Sequence, residues 1–213
     1  MSPENSNTFP DSESVKAVAR RGRPPVPPGR ILAAADTLFA EADDPRTVTM
    51  DAIAAAAGVG KGTLFRAFGS RRELLDALWS DRLGGVREAV EAERGPLGAS
   101  APPRERAVAF LDAMLTFKMD NRHLIRAREH SIAGVRQSEN YRWTHGLVER
   151  LITDADPGAT ARDAAYTAHA LLAALDIDLI EELLASGRTR EQIRRAQGEF
   201  VRAVINGAAH EAR

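Results

Sequence analysis

The 213-residue chain contains no cysteine. That absence removes disulfide frameworks, thiolate metal sites and cysteine nucleophiles together, and it fits a reducing compartment. No window approaches the roughly 18 consecutive apolar residues of a membrane span. The first residues, Met1 to Asp11, lack the basic and apolar regions of a signal peptide. The expected location is therefore the cytoplasm, with no membrane partner. Strand patterns and internal repeats are also missing, which leaves helices as the building material.

What is present begins with apolar residues at 44% of the chain, enough to build a core, and with a net charge of −1 that hides an asymmetry. Ten basic residues (Lys16, Arg20, Arg21, Arg23, Arg30, Arg46, Lys61, Arg66, Arg71 and Arg72) face five acids between Val15 and Arg72. That stretch is cationic and the rest of the chain is acidic, a distribution suited to meeting a polyanion. Residues 1–28 are rich in Ser, Pro and charge and read as a flexible basic arm.

Helical periodicity starts after Pro28, with Ile31, Leu32, Ala35, Leu38 and Phe39 on one face and an end near Ala42. Thr49 is placed to cap a helix over Met50–Ala57, Gly58-Val59-Gly60 is a tight turn, and a third helix runs from Lys61 to Phe68. Ser70-Arg71-Arg72-Glu73 has capping-box spacing and should open a fourth helix, with Leu74, Leu75, Leu78, Trp79 and Leu83 as its apolar stripe. Pro102-Pro103 suits the start of a fifth helix. Further helices are expected over about Arg122–Ala133, Glu139–Thr153 and Thr160–Ser186, the last closed by Gly187. Thr189-Arg190-Glu191-Gln192 opens a final helix to about Asn206.

Within Met50–Phe68, Ile53 and Leu64 supply the contact between two helices, Ala54 is small where they cross, and Gly58 permits a left-handed turn. This is the spacing of a helix-turn-helix, although an ordinary helical hairpin shares it. The string from Thr47 to Phe68, continued by Ser70-Arg71-Arg72-Glu73-Leu74-Leu75 and preceded by Ile31-Leu32-Ala33-Ala34-Ala35 and Leu38-Phe39, resembles the N-terminal signature of the tetracycline-repressor (TetR) family. The resemblance covers about Gly29 to Leu78. Two positions depart from it: Phe65 stands where the family usually has Tyr, and Arg71 where it usually has Lys.

On this reading the fold is all-α. A helix-turn-helix DNA-binding domain (29–75) precedes a helical effector-binding and dimerisation domain (76–213). Lys61, Gly62, Thr63 and Arg66 are expected at base edges in a major groove, and Thr49, Ser70, Arg71 and Arg72 at phosphates. Arg21 and Arg23 lie in an Arg-Gly-Arg-Pro string like an AT-hook core, either a minor-groove reader or a solvated tail. The resemblance also implies a ligand-binding bundle, for which Phe110, Met114, Phe117, Leu124, Trp143, Leu147 and Leu172 are apolar candidates. Arg128, His169 and Asp176 are candidate polar anchors, and singly each apolar residue reads equally as core.

The Ala- and Leu-rich last two helices suit a homodimer interface. The expected function is a homodimeric, ligand-responsive repressor of a palindromic operator on double-stranded DNA. An unknown small-molecule effector would act through the fourth helix. The alternative is a helical ligand- or partner-binding protein with a vestigial helix-turn-helix.

Other chemistries find little support. Gly58–Thr63 only superficially resembles a phosphate-binding loop, because Ala55 stands where the motif needs glycine and no strand precedes it. His123, His130, His145, His169 and His210 show no metal-ligand spacing. Asp176, Asp178, Glu181 and Glu182 read as capping or solvated carboxylates rather than a catalytic pair. No catalytic residue, metal or cofactor is expected.

Overall fold

A proline at the first helical position needs no N–H partner and has its φ already set, so a Pro-Pro step is a natural helix start. The chain uses it twice. In a computed structural model describing residues 26–128, 136–156 and 161–208, α1 spans Pro28–Glu41 and α5 spans Pro103–Asp120. Between them lie a 3-10 turn (Pro45–Thr47), α2 (Met50–Ala57), α3 (Lys61–Phe68) and α4 (Arg71–Glu91). After α5 come α6 (Arg122–Ala127), α7 (Glu139–Ala155), α8 (Ala161–Ala173), α9 (Ile177–Ala185) and α10 (Arg190–Ala208). No strand occurs among the described residues. The arm residues Arg21 and Arg23 lie outside them, as does the second half of the helix expected over Arg122–Ala133.

Apolar side chains gather into two clusters. The first joins Ile31, Ala35 and Phe39 of α1 to Ile53 and Ala57 of α2, Leu64 of α3, and Leu74, Leu75 and Leu78 of α4. Leu124 and Ala127 of α6 belong to it too, so a helix far along the chain closes the N-terminal core. The second is built around Phe110, Leu111 and Leu115 of α5, with Leu147 and Leu151 of α7, Leu171 of α8 and Val201 of α10. α4 serves both: Leu74 to Leu78 enter the first cluster, Leu83 and Val90 the second, and Trp79 packs against each. At 1.5 Å per residue this helix is about 30 Å long, a rod long enough to connect the two.

A polar tie reinforces the junction. Asp36 of α1 is buried and its carboxylate accepts from Arg82 of α4 and, at 3.1 Å, from His123 Nε2 of α6. Burial, and then the charges of Arg82 and Arg122, hold the His123 pKa below its ordinary value of 6.5. The ring is thus neutral at pH 7 and donates to Asp36. Its contribution to stability is present above the unfolded pKa and is lost as falling pH charges the ring. The thermal unfolding midpoint is expected to drop between pH 7 and pH 5, and His123→Gln, which keeps a donor but cannot titrate, should make that drop smaller. An identical pH profile for the variant would remove this tie from the account.

The long apolar segment 160–186 is two helices rather than the single one its composition suggests. Asp176 interrupts it: its Oδ1 accepts from the backbone N–H of Asp178 (3.0 Å) and Leu179 (3.2 Å) and starts α9. An Asp side chain that bonds its own following backbone competes with helix continuation, and here it wins. α9 then ends in a Schellman arrangement, with Gly187 at φ 88° and the N–H groups of Gly187 and Arg188 donating to Leu184 and Leu183 carbonyls. The next helix opens with the expected capping box. Thr189 N–H donates to Gln192 Oε1 (3.0 Å), and Gln192 N–H donates to Thr189 Oγ1 (3.2 Å).

Candidate nucleic-acid interface and ligand cavity

Thr49 Oγ1 accepts the Ala52 N–H at 3.2 Å and fixes the start of α2. Gly58, at φ 65°, ends it in the left-handed region. Val59 N–H returns to the Ala54 carbonyl at 3.0 Å, which aims the chain into α3. Ala54 is buried at the crossing and Leu64 is fully enclosed. A bulkier residue at 54 would separate the helices.

Enclosing Leu64 decides what α3 shows to solvent. At about 100° per residue, Gly62 and Arg66 stand opposite Leu64, flanked by Thr63 and Phe65. Lys61, Gly62, Thr63, Phe65 and Arg66 are all exposed. The Lys61 ammonium pairs with Asp51 at 2.8 Å and lies 5.9 Å from the centre of the Phe65 ring. Ser70 Oγ accepts the Glu73 N–H at 3.2 Å and caps α4, while the Ser70 N–H goes to the Phe68 carbonyl; only the serine half of the expected box forms. With Thr49 and Ser70 accepting through oxygen, each hydroxyl hydrogen is left to donate outward. Arg72 is exposed in the first turn of α4.

Arg71 departs from expectation. Its guanidinium donates to the carbonyls of Val48 (Nε, 3.2 Å), Ala127 (Nη1, 2.7 Å) and Pro45 (Nη2, 3.0 Å), and it lies 5.4 Å from the centre of the Phe39 ring. These carbonyls sit at the 3-10 turn and the end of α6, where helical partners run out. The fork therefore braces α4 to both instead of standing ready for a phosphate.

The cavity candidates divide. Met114, Arg128 and Leu172 line a cavity of about 120 Å³, shared with Trp79, Lys118, Asn140, Thr144 and Leu175 among others. Phe110 and Trp143 instead pack edge to face (5.8 Å between centres), as do Phe117 and Trp79 (4.8 Å); Phe110 and Phe117 are core, and Trp143 packs against it beneath the Arg87 guanidinium at 4.6 Å. His169 is exposed, its Nδ1 2.8 Å from the Tyr141 hydroxyl and its ring 3.9 Å from that of His145. Asp176 is an exposed helix cap. Phe110, Phe117, Trp143, Leu124 and Leu147 do not line the cavity because neighbours fill the inward face that their spacing identifies, and His169 and Asp176 do not because they face outward.

Lys118 is one of several lining residues, with Trp79, Asn140, Thr144 and Leu175, that are not among the sequence candidates. It sits four residues after Met114 and so continues an apolar stripe, the one signal that marked it. Its Nζ donates to the Leu175 carbonyl at 2.7 Å, and burial pulls its pKa from 10.5 to about 8, still cationic at neutral pH. Arg128 donates to Asp76 of α4 at 2.7 Å with its guanidinium 5.1 Å from the centre of the Trp79 ring.

The family model for bacterial regulatory proteins of the tetR family matches residues 31–78, which hold α1 to α3 and the first turns of α4. Among solved structures, a TetR-like transcriptional regulator from Rhodococcus sp. RHA1 is similar at 23% identity, over 83% of this chain and 92% of that one, with a TM-score of 0.54. A Clostridium perfringens protein described as a candidate fatty acid metabolism regulator is similar at 21% identity, over 84% and 97%, also at 0.54. No curated protein matches the chain. Residues 31–78 thus match the tetR-family model, and the all-helical frame around them has the fold of these solved structures.

Proposed function

We propose that the chain is a homodimeric repressor that reads a palindromic operator through α3 and releases it when a small molecule binds the helical body. The observation that carries the DNA reading is Gly62. Glycine in a helix is unfavourable relative to alanine, by up to roughly 0.5 to 1 kcal/mol, so Gly62, the second residue of α3, calls for a reason. Among the described residues there is none, since a methyl group at position 62 would meet nothing within 4 Å. Space on the outward crown of α3 serves something that approaches from outside. Lys61 and Arg66 beside it have the donors for guanine O6 and N7, Thr63 suits a base edge or a thymine methyl, and Thr49, Ser70 and Arg72 surround it as phosphate donors. Arg21 and Arg23 would extend the contact into the minor groove.

The dimer reading rests on apolar side chains left uncovered on the last three helices. Tyr166 of α8 is 76% exposed, and Leu179 of α9 and Phe200 of α10 are each 45% exposed. Two copies joined there would present two α3 helices, and a spacing of about 34 to 36 Å would match successive major grooves. The effector would alter that spacing through α4, with a coupling of roughly 1 to 3 kcal/mol.

Gly62→Ala tests the reading because its two expected effects have opposite signs. Thermal unfolding should show a gain of up to about 1 kcal/mol, while fluorescence anisotropy should show weaker binding to a specific duplex. Undiminished binding by this variant would mean that no groove wall uses the space.

A further inference from the structure

Burying a lysine on an apolar helical face is unfavourable unless something meets its charge. Among the described residues, no carboxylate lies within ion-pair distance of Lys118; its hydrogen bond is to the Leu175 carbonyl, and Asp176 attracts it from farther away. Arg128 reaches the same cavity from the end of α6, paired with Asp76. Among the described residues, two cations against the one carboxylate paired there leave a positive charge that Asp176 offsets only from beyond ion-pair distance. The neutral polar groups beside them are already engaged: Asn140 Nδ2 donates to Ser80 Oγ at 2.9 Å, its Oδ1 accepts from Arg87 at 2.9 Å, and Thr144 donates to the Asn140 carbonyl at 2.8 Å. Ser138, whose Oγ accepts the Tyr141 N–H, and Tyr141, whose hydroxyl meets His169 Nδ1, complete the polar wall, and the rest is apolar, from Trp79, Met114, Leu172 and Leu175. Its volume of about 120 Å³ approaches that of a dry cavity, about 150 Å³, that accepts benzene.

We propose that this cavity binds a small monocarboxylate, with the carboxylate between Lys118 and Arg128 and an apolar body no larger than a benzene ring against Trp79, Met114, Leu172 and Leu175. The proposal rests on reading the chain as a ligand-responsive regulator and names the chemistry of its effector. It also supplies a route to α4. Asp76 lies one turn before Trp79 on that helix, and Arg128 is the residue after Ala127, whose carbonyl Arg71 holds at the start of α4. A carboxylate on Arg128 competes with Asp76 for the same guanidinium, so ligand binding loosens one of the bonds between α4 and the end of α6.

The test is isothermal titration of the full chain, without DNA, against butanoate, hexanoate and benzoate, each beside its uncharged amide. At least one acid is expected to bind about tenfold or more tightly than its amide, the scale of a charge-assisted hydrogen bond. Lys118→Met, which keeps the apolar stem, should abolish that preference. Asp76→Asn releases Arg128 and should tighten acid binding severalfold, a gain that a merely structural role would not produce. The proposal is overturned if no acid binds better than its amide, if Lys118→Met leaves the preference intact, or if Asp76→Asn weakens acid binding. Because no DNA enters the titration, these outcomes are separate from failure of operator recognition.

Discussion

Replacing Lys61 and Arg66 together with alanine is expected to abolish sequence-specific DNA binding while leaving the helical fold in place. Each good base contact contributes about 1 to 3 kcal/mol of discrimination, and a homodimer makes each contact twice. Four lost contacts amount to about 4 to 12 kcal/mol, comparable with the roughly 4 to 10 kcal/mol that separates specific from nonspecific binding. What remains should be the salt-sensitive attraction of the other cations. The fold should hardly respond, because Arg66 is exposed and the Lys61–Asp51 pair is too, with side chains 62% and 63% accessible. Such pairs contribute about 0 to 1 kcal/mol. Anisotropy titrations with specific and scrambled duplexes, beside circular dichroism, check both halves; retention of the specific-over-scrambled ratio would contradict the assignment.

Arg71→Ala should produce the opposite pattern, a large loss of stability with loss of DNA binding only as a consequence. The side chain satisfies three backbone carbonyls from two separate parts of the chain and lies on Phe39. Hydrogen bonds to charged donors contribute about 1.5 to 3 kcal/mol each, but bonds sharing one guanidinium are not additive, and a total near 3 kcal/mol is expected. For a chain of this length that corresponds to a fall of about 6 to 12 °C in the unfolding midpoint. Arg72→Ala next door provides the contrast. An exposed residue without such partners should change stability by less than about 0.5 kcal/mol and should lower the salt dependence of DNA binding by about one phosphate contact per protomer. If the two variants behave alike in thermal unfolding, Arg71 is not the brace described here.

These arginines also show what a linear pattern can and cannot convey. Thr49, Gly58, Ala54 and Leu64 were legible because each acts on neighbours a few residues away: a cap, a left-handed turn, a close crossing and an apolar contact. The same locality exposed the Thr189–Gln192 box and the outward set Lys61, Thr63 and Arg66. The bracing contacts of Arg71 are not legible in the sequence because its partners are 23, 26 and 56 residues distant, and nothing in its surroundings announces that Ala127 needs a donor. Asp176 admits two readings in the sequence, a capping carboxylate and a pocket anchor, and the structure has it as the cap of α9. Lys118 escaped notice because a charged residue at a core-facing position looks like an irregularity in the stripe until the fold closes over it.

The cavity lies where these long-range contacts meet. Trp79 touches both cores, Arg128 joins the end of α6 to α4, and Arg71 fastens the same end to the first turn of α4. Under the proposed function, a ligand at that point would influence the angle of α4, and through it α3, without reaching α2 or α3 directly.

If the face of α3 opposite Leu64 reads DNA, selection from a randomised duplex pool by the full chain should enrich two inverted half-sites whose centres are about one helical turn of DNA apart. That enrichment should be lost with the Lys61→Ala, Arg66→Ala chain. A pool that stays random with the unaltered protein, or the same motif recovered with both proteins, would contradict that role of α3.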